Sequence, residues 1–65
     1  MTATIGSTVE WCETRSCDGS FIVVAEWDGS RWRFWERDSW EIRWYPVCSD
    51  SRLVEKADHL KWSAT

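Results

Sequence analysis

Two Asp-Gly dipeptides set between apolar runs constrain this chain more than any other feature: Cys17-Asp18-Gly19-Ser20 and Trp27-Asp28-Gly29-Ser30. An Asp-Gly pair supplies the two positive-φ positions of a type I′ turn and is the strongest short-range signal for a β-hairpin. Two hairpins with two-residue turns are therefore expected. A third turn is expected at Arg37-Asp38-Ser39, between two Trp-rich runs. Reading outward from these turns gives four strands, Thr8 to Thr14, Ser20 to Trp27, Arg31 to Arg37 and Trp40 to Val47, in an antiparallel meander.

A two-residue turn at Asp28-Gly29 sets Glu26 opposite Arg31, Ala25 opposite Trp32, Val23 opposite Phe34 and Ile22 opposite Trp35. Phe21, Val23, Ala25 and Trp27 then share one face with Trp32 and Phe34. In the fourth strand, Trp40, Ile42 and Trp44 alternate with Glu41, Arg43 and Tyr45, so a third apolar row is expected on that face. A tight turn at Asp38-Ser39 would set Glu41 against Glu36, which favours a longer loop there. Pro46 has no amide donor and suits the end of an edge strand.

After Pro46 the period changes. Ser49-Asp50-Ser51 offers N-cap acceptors, and Leu53, Val54, Ala57 and Leu60, with Lys61 at the margin, follow the spacing of one helical face. A helix over Asp50 to Trp62 is expected, with Asp50 and Glu55 early and Lys61 late, the order that suits the helix dipole. The 65 residues make one small domain, of which such a chain buries only ~60% of the surface its unfolded form exposes. The expected fold is α+β: a four-stranded antiparallel β-meander over 8–47 with one C-terminal α-helix over 50–62 on one sheet face, ββββα, after a flexible segment over 1–7.

The other face is then expected to carry Ile22, Val24, Glu26, Arg31, Arg33, Trp35 and Arg37, with Glu41, Arg43 and Tyr45 from the fourth strand. Arginine interleaved with Trp and Tyr is the composition enriched at binding hot spots. Trp35, Tyr45, Arg31, Arg33, Arg37 and Arg43 are the candidate partner-binding residues. The plainer reading has the arginines paired across strands with Glu26, Glu36 and Glu41. Two binding classes compete. Single-stranded nucleic acid would use Trp35 and Tyr45 for stacking and the arginines for phosphates. A protein partner, either a second copy or a larger complex, fits a mixed-charge aromatic surface better. The net charge of −3 and the carboxylates at 26, 36, 38 and 41 also disfavour a phosphate backbone. Acidic Glu10, Glu13, Asp18, Asp28 and Asp38 near the hairpin ends offer a second docking mode, onto a basic channel of a nucleic-acid-handling host complex. Small acidic chains of this size include phage- or plasmid-encoded inhibitors of host enzymes, an association by size class alone.

No enzyme is expected. His59 is the single histidine, within the helix, and no Gly-x-Ser-x-Gly, phosphate loop or dinucleotide fingerprint occurs. No cofactor is expected either. Cys12 and Cys17, with four residues between them, have the spacing of paired zinc ligands, and Cys48 with His59 would complete a Cys₃His set. The ten residues between Cys48 and His59 do not match known zinc knuckles, so unrelated thiols are the preferred reading, with a Cys12 to Cys17 disulfide as another alternative. The odd cysteine count, the lack of an export signal and the absence of a long apolar run point to a cytoplasmic protein with no membrane partner.

Overall fold

A computed structural model of the chain describes residues 5–15 and 19–62. Strands β1 (Thr8–Arg15), β2 (Gly19–Trp27), β3 (Trp32–Asp38) and β4 (Tyr45–Val47) form one antiparallel sheet in the order β1-β2-β3-β4, and helix α1 (Ser51–Trp62) follows. This is the expected ββββα arrangement.

The β2–β3 register differs from the expected one. Trp27 pairs with Trp32, Glu26 with Arg33, Ala25 with Phe34 and Val24 with Trp35. The connection is a four-residue loop, Asp28 to Arg31, rather than a two-residue turn. A type I′ turn needs positive φ at both central residues, and here Gly29 has φ 107° while no described non-glycine residue has positive φ. The Asp28 side chain organises the loop instead: Oδ1 accepts the backbone N–H of Ser30 and of Arg31, both at 2.9 Å, and the Asp28 N–H donates to the Arg31 carbonyl at 3.1 Å. Each expected partner moves by two residues. An even displacement keeps every side chain on its face, so the expected assignment of β2 and β3 residues to the two faces holds.

In the first hairpin Arg15 pairs with Gly19, so Gly19 opens β2 instead of closing a two-residue turn; Cys17 and Asp18 lie outside the described residues. Residues 5–7 do not run free. The Gly6 N–H donates to the Trp27 carbonyl at 2.8 Å and the Trp27 N–H to the Ser7 carbonyl at 2.9 Å, which extends the β1–β2 pairing past Thr8.

The inner face is built in rows across the strands. Val9, Ala25, Phe34 and Val47 form one, and Trp11, Val23, Glu36 and Tyr45 the next. Helix α1 lays Leu53 and Ala57 over them, with Val54, Leu60 and Trp62 at the margin, and the core comprises Trp11, Phe21, Val23, Ala25, Trp32, Phe34, Leu53 and Ala57. The helix starts where the sequence indicates: Asp50 Oδ1 accepts the Leu53 N–H at 2.8 Å, an N-cap, while the Asp50 carbonyl accepts from Val54. At the far end Trp27, Trp32 and Trp62 meet edge to face with centroids 5.4 to 6.2 Å apart.

The fourth strand departs most from expectation. Only Tyr45–Val47 pairs with β3, and residues 39–44 form a loop. Trp40, Ile42 and Trp44 therefore do not make a third apolar row on the inner face. The phase is also opposite to the expected one. Glu36 pairs with Tyr45 and Phe34 with Val47, which sends odd-numbered residues of β4 to the inner face.

A surface of exposed aromatic residues

On the uncovered face, the row Glu10, Val24, Trp35, Pro46 crosses all four strands, flanked by Thr8, Glu26, Arg33 on one side and Cys12, Ile22, Arg37 on the other. Ile22, Val24 and Trp35 are half-buried there. Trp35 and Arg33 thus lie where expected.

The other candidates divide. Tyr45 shares the inner-face side with Glu36, at the open margin of the sheet, so Trp35 and Tyr45 are not a pair of platforms on one surface. Arg31 sits in the β2–β3 loop, its Nε 3.9 Å from Asp28. Arg37 occupies the open face but turns into the 39–44 loop, donating to the Glu41 carbonyl at 2.6 Å and standing over the Trp44 ring at 5.2 Å. Arg43 stands over the Tyr45 ring at 5.2 Å, and the Tyr45 hydroxyl donates to Glu41 Oε2 at 3.1 Å. Arg37 and Arg43 thus stand over aromatic rings, where the plainer reading paired them across strands with carboxylates, and Arg31 pairs within its own loop.

That loop is the feature sequence reasoning missed. Trp40 is 77% and Ile42 95% exposed, with Trp44 at 39% and Tyr45 at 42% beside them. The period-two pattern of residues 40–45 reads as a strand, yet the chain must first clear the Glu36–Glu41 clash identified above. Each residue spent on a longer loop is lost to β4. That conflict was the available signal.

The acidic candidates do not converge. Glu10 is on the open face in mid-strand, Asp28 is fixed in one hairpin loop, and Asp38 ends β3 at the opposite end of the sheet. Backbone N–H donors from Ser30 and Arg31 hold the Asp28 carboxyl below its ordinary pKa. Glu13 faces inward, accepting the Trp11 indole N–H at 2.7 Å and Arg52 Nη1 at 3.0 Å. Burial alone would raise its pKa, but the hydrogen bonds from Trp11 and Arg52, with the charges of Arg52 and Lys56, bring it below the ordinary value.

Cys12 lies in β1 and Cys48 just past β4, at opposite edges of the sheet, and both are exposed. Those two cannot share one metal ion with His59, which corrects the Cys₃His alternative; Cys17, and with it the Cys12 to Cys17 disulfide, is outside the described residues. Among the described residues no three His, Cys, Asp or Glu side chains cluster as metal ligands. A groove of about 230 Å³ runs beside β3 past the end of β4, between Arg31–Trp35 and Pro46–Ser49. No described helix is long and apolar enough to cross a membrane. No protein-family model, curated protein or solved structure matches the chain.

Proposed function

We propose that this chain is a non-enzymatic protein-binding module whose contact surface is the 39–44 loop, extended by the uncovered sheet face around Trp35. The observation that carries this reading is the exposure of Trp40 and Ile42, 77% and 95%, in a chain that buries Trp11 and Trp32. Large exposed apolar side chains grouped together mark interaction surfaces, and Trp with Arg dominates binding hot spots. Arg37 against Trp44 and Arg43 against Tyr45 add such pairs beside the loop. The groove beside β3 is open, smaller than the ~300–1,000 Å³ of ligand pockets, and lined by no carboxylate or histidine, which supports a non-enzymatic role. A narrower form, blockade of a host nucleic-acid enzyme, rests on size and charge alone. The test is a Trp40→Ser, Ile42→Ser double variant. It is expected to keep the wild-type circular dichroism and melting temperature while losing capture of partner protein. Equal capture by variant and wild type would overturn the reading, and salt-sensitive tryptophan quenching by single-stranded DNA or RNA would replace it with nucleic-acid binding.

A further inference from the structure

The loop residues Trp40-Glu41-Ile42-Arg43-Trp44 read the same in both directions by size and, at the charged positions, by complement. We propose that this segment pairs antiparallel with the same segment of a second copy, about a two-fold axis at Ile42. This proposal rests on the protein-binding reading above and names its partner. An antiparallel ribbon centred there sets Trp40 opposite Trp44 of the other copy, Ile42 opposite Ile42, and Glu41 opposite Arg43 on both sides of the axis. Residues of equal parity share a face, so all six apolar side chains lie on one face of the ribbon and both ion pairs on the other. Displacing the pairing by two residues sets tryptophan opposite isoleucine and either Glu41 opposite Glu41 or Arg43 opposite Arg43, and leaves two residues of each segment without a partner. The charges therefore fix the register as well as favouring it.

The conformation of the segment suits this. Outside the sheet ladder, the backbone hydrogen bonds of the loop belong to Ser39, whose N–H donates to the Ser20 carbonyl at 3.3 Å, and to Glu41, whose N–H donates to Asp38 and whose carbonyl accepts from Arg37. Among the described residues, none involves residues 42–44. Their N–H and C=O groups are the open template that strand addition uses. The contacts that Glu41 and Arg43 would exchange are surface contacts with Tyr45, a 3.1 Å hydrogen bond and a ring contact. A closed two-fold contact of this kind is isologous and stops at a dimer.

A five-residue ribbon is smaller than a standard interface, so the association is expected to be weak, with dissociation constants roughly micromolar or above. Sedimentation equilibrium up to about 1 mM on the full chain tests it. Glu41→Arg and Arg43→Glu each set like charges opposite one another and are expected to weaken the dimer by roughly tenfold or more, whereas the double exchange restores it. Circular dichroism of each variant verifies that the fold is intact. A wild-type chain that stays monomeric throughout overturns the pairing, and the binding reading then stands or falls separately with the capture experiment on the Trp40→Ser, Ile42→Ser variant. A dimer indifferent to both single reversals also overturns it and assigns the contact to another surface.

Discussion

The indole N–H of Trp32 donates to Asp58 Oδ1 at 2.8 Å, joining β3 to α1 across 26 residues of sequence. Trp32 is only 2% exposed, so its one polar atom needs a partner, and the helix supplies it. The same bond fixes the helix along its axis, since Asp58 stands one residue after the buried Ala57. Asp58→Ala is expected to cost about 1.5–3 kcal/mol, and Asp58→Asn, which keeps an acceptor oxygen, distinctly less. Urea unfolding of the two variants checks the difference.

Phe34 and Trp35 are neighbours on opposite faces, and their truncations should diverge accordingly. Phe34→Ala opens a cavity in the core and is expected to cost ~3–5 kcal/mol, enough to unfold a domain this small. Trp35→Ala removes a half-exposed ring from the open face and is expected to cost about 1 kcal/mol. Thermal melts decide between this and an inverted sheet, in which the two effects exchange.

How the sequence conveyed these faces, and where it failed, follows from parity. The two-residue turn expected at Asp28-Gly29 was wrong because Asp28 uses its carboxylate to hold a four-residue loop instead of adopting positive φ. The error moved every partner by an even number, and Phe34 and Trp35 stayed on their faces. No such protection covered β4. Its phase depended on the length of the 39–44 loop, which no local pattern specified, and Tyr45 fell on the other side from Trp35. The helix was legible because its cap, Asp50, and its apolar spacing are both local. The tryptophans carried opposite fates under one composition: only pairing partners distinguish Trp32, beside Trp27 and Asp58, from Trp40, which has no strand beside it.

Gly29 combines φ 107° with a crowded position, since a Cβ there would lie 3.2 Å from the Ile5 side chain. Gly29→Ala is expected to cost about 1–2 kcal/mol, from backbone strain and displacement of Ile5. Gly19→Ala, at φ 85° with nothing within 4 Å, incurs only the backbone part. Comparing their midpoints in urea separates the two contributions.

Acid should loosen the β1–α1 contact. The Glu13 carboxyl is held below its ordinary value of 4.5 in the folded chain, so its contribution to stability is fully present above that pH. It is lost as pH falls through the lowered folded value. Glu13→Gln is expected to be less stable than wild type near neutrality and to converge with it under acid. Arg52 is largely exposed, so Arg52→Ala is expected to lower stability only slightly. Melting temperatures across an acid series read both.

The most direct test of the division between core and binding tryptophans is a ¹H–¹⁵N spectrum of the seven indole N–H groups, recorded dilute and then concentrated. Trp11 and Trp32, bonded to Glu13 and Asp58, are expected to resist solvent exchange and to hold their shifts at every concentration. The Trp40 and Trp44 signals are expected to exchange fast when dilute and to move together as concentration rises. A Trp40 signal already protected in dilute solution, or a Trp32 signal that exchanges as fast as Trp40, would contradict the account.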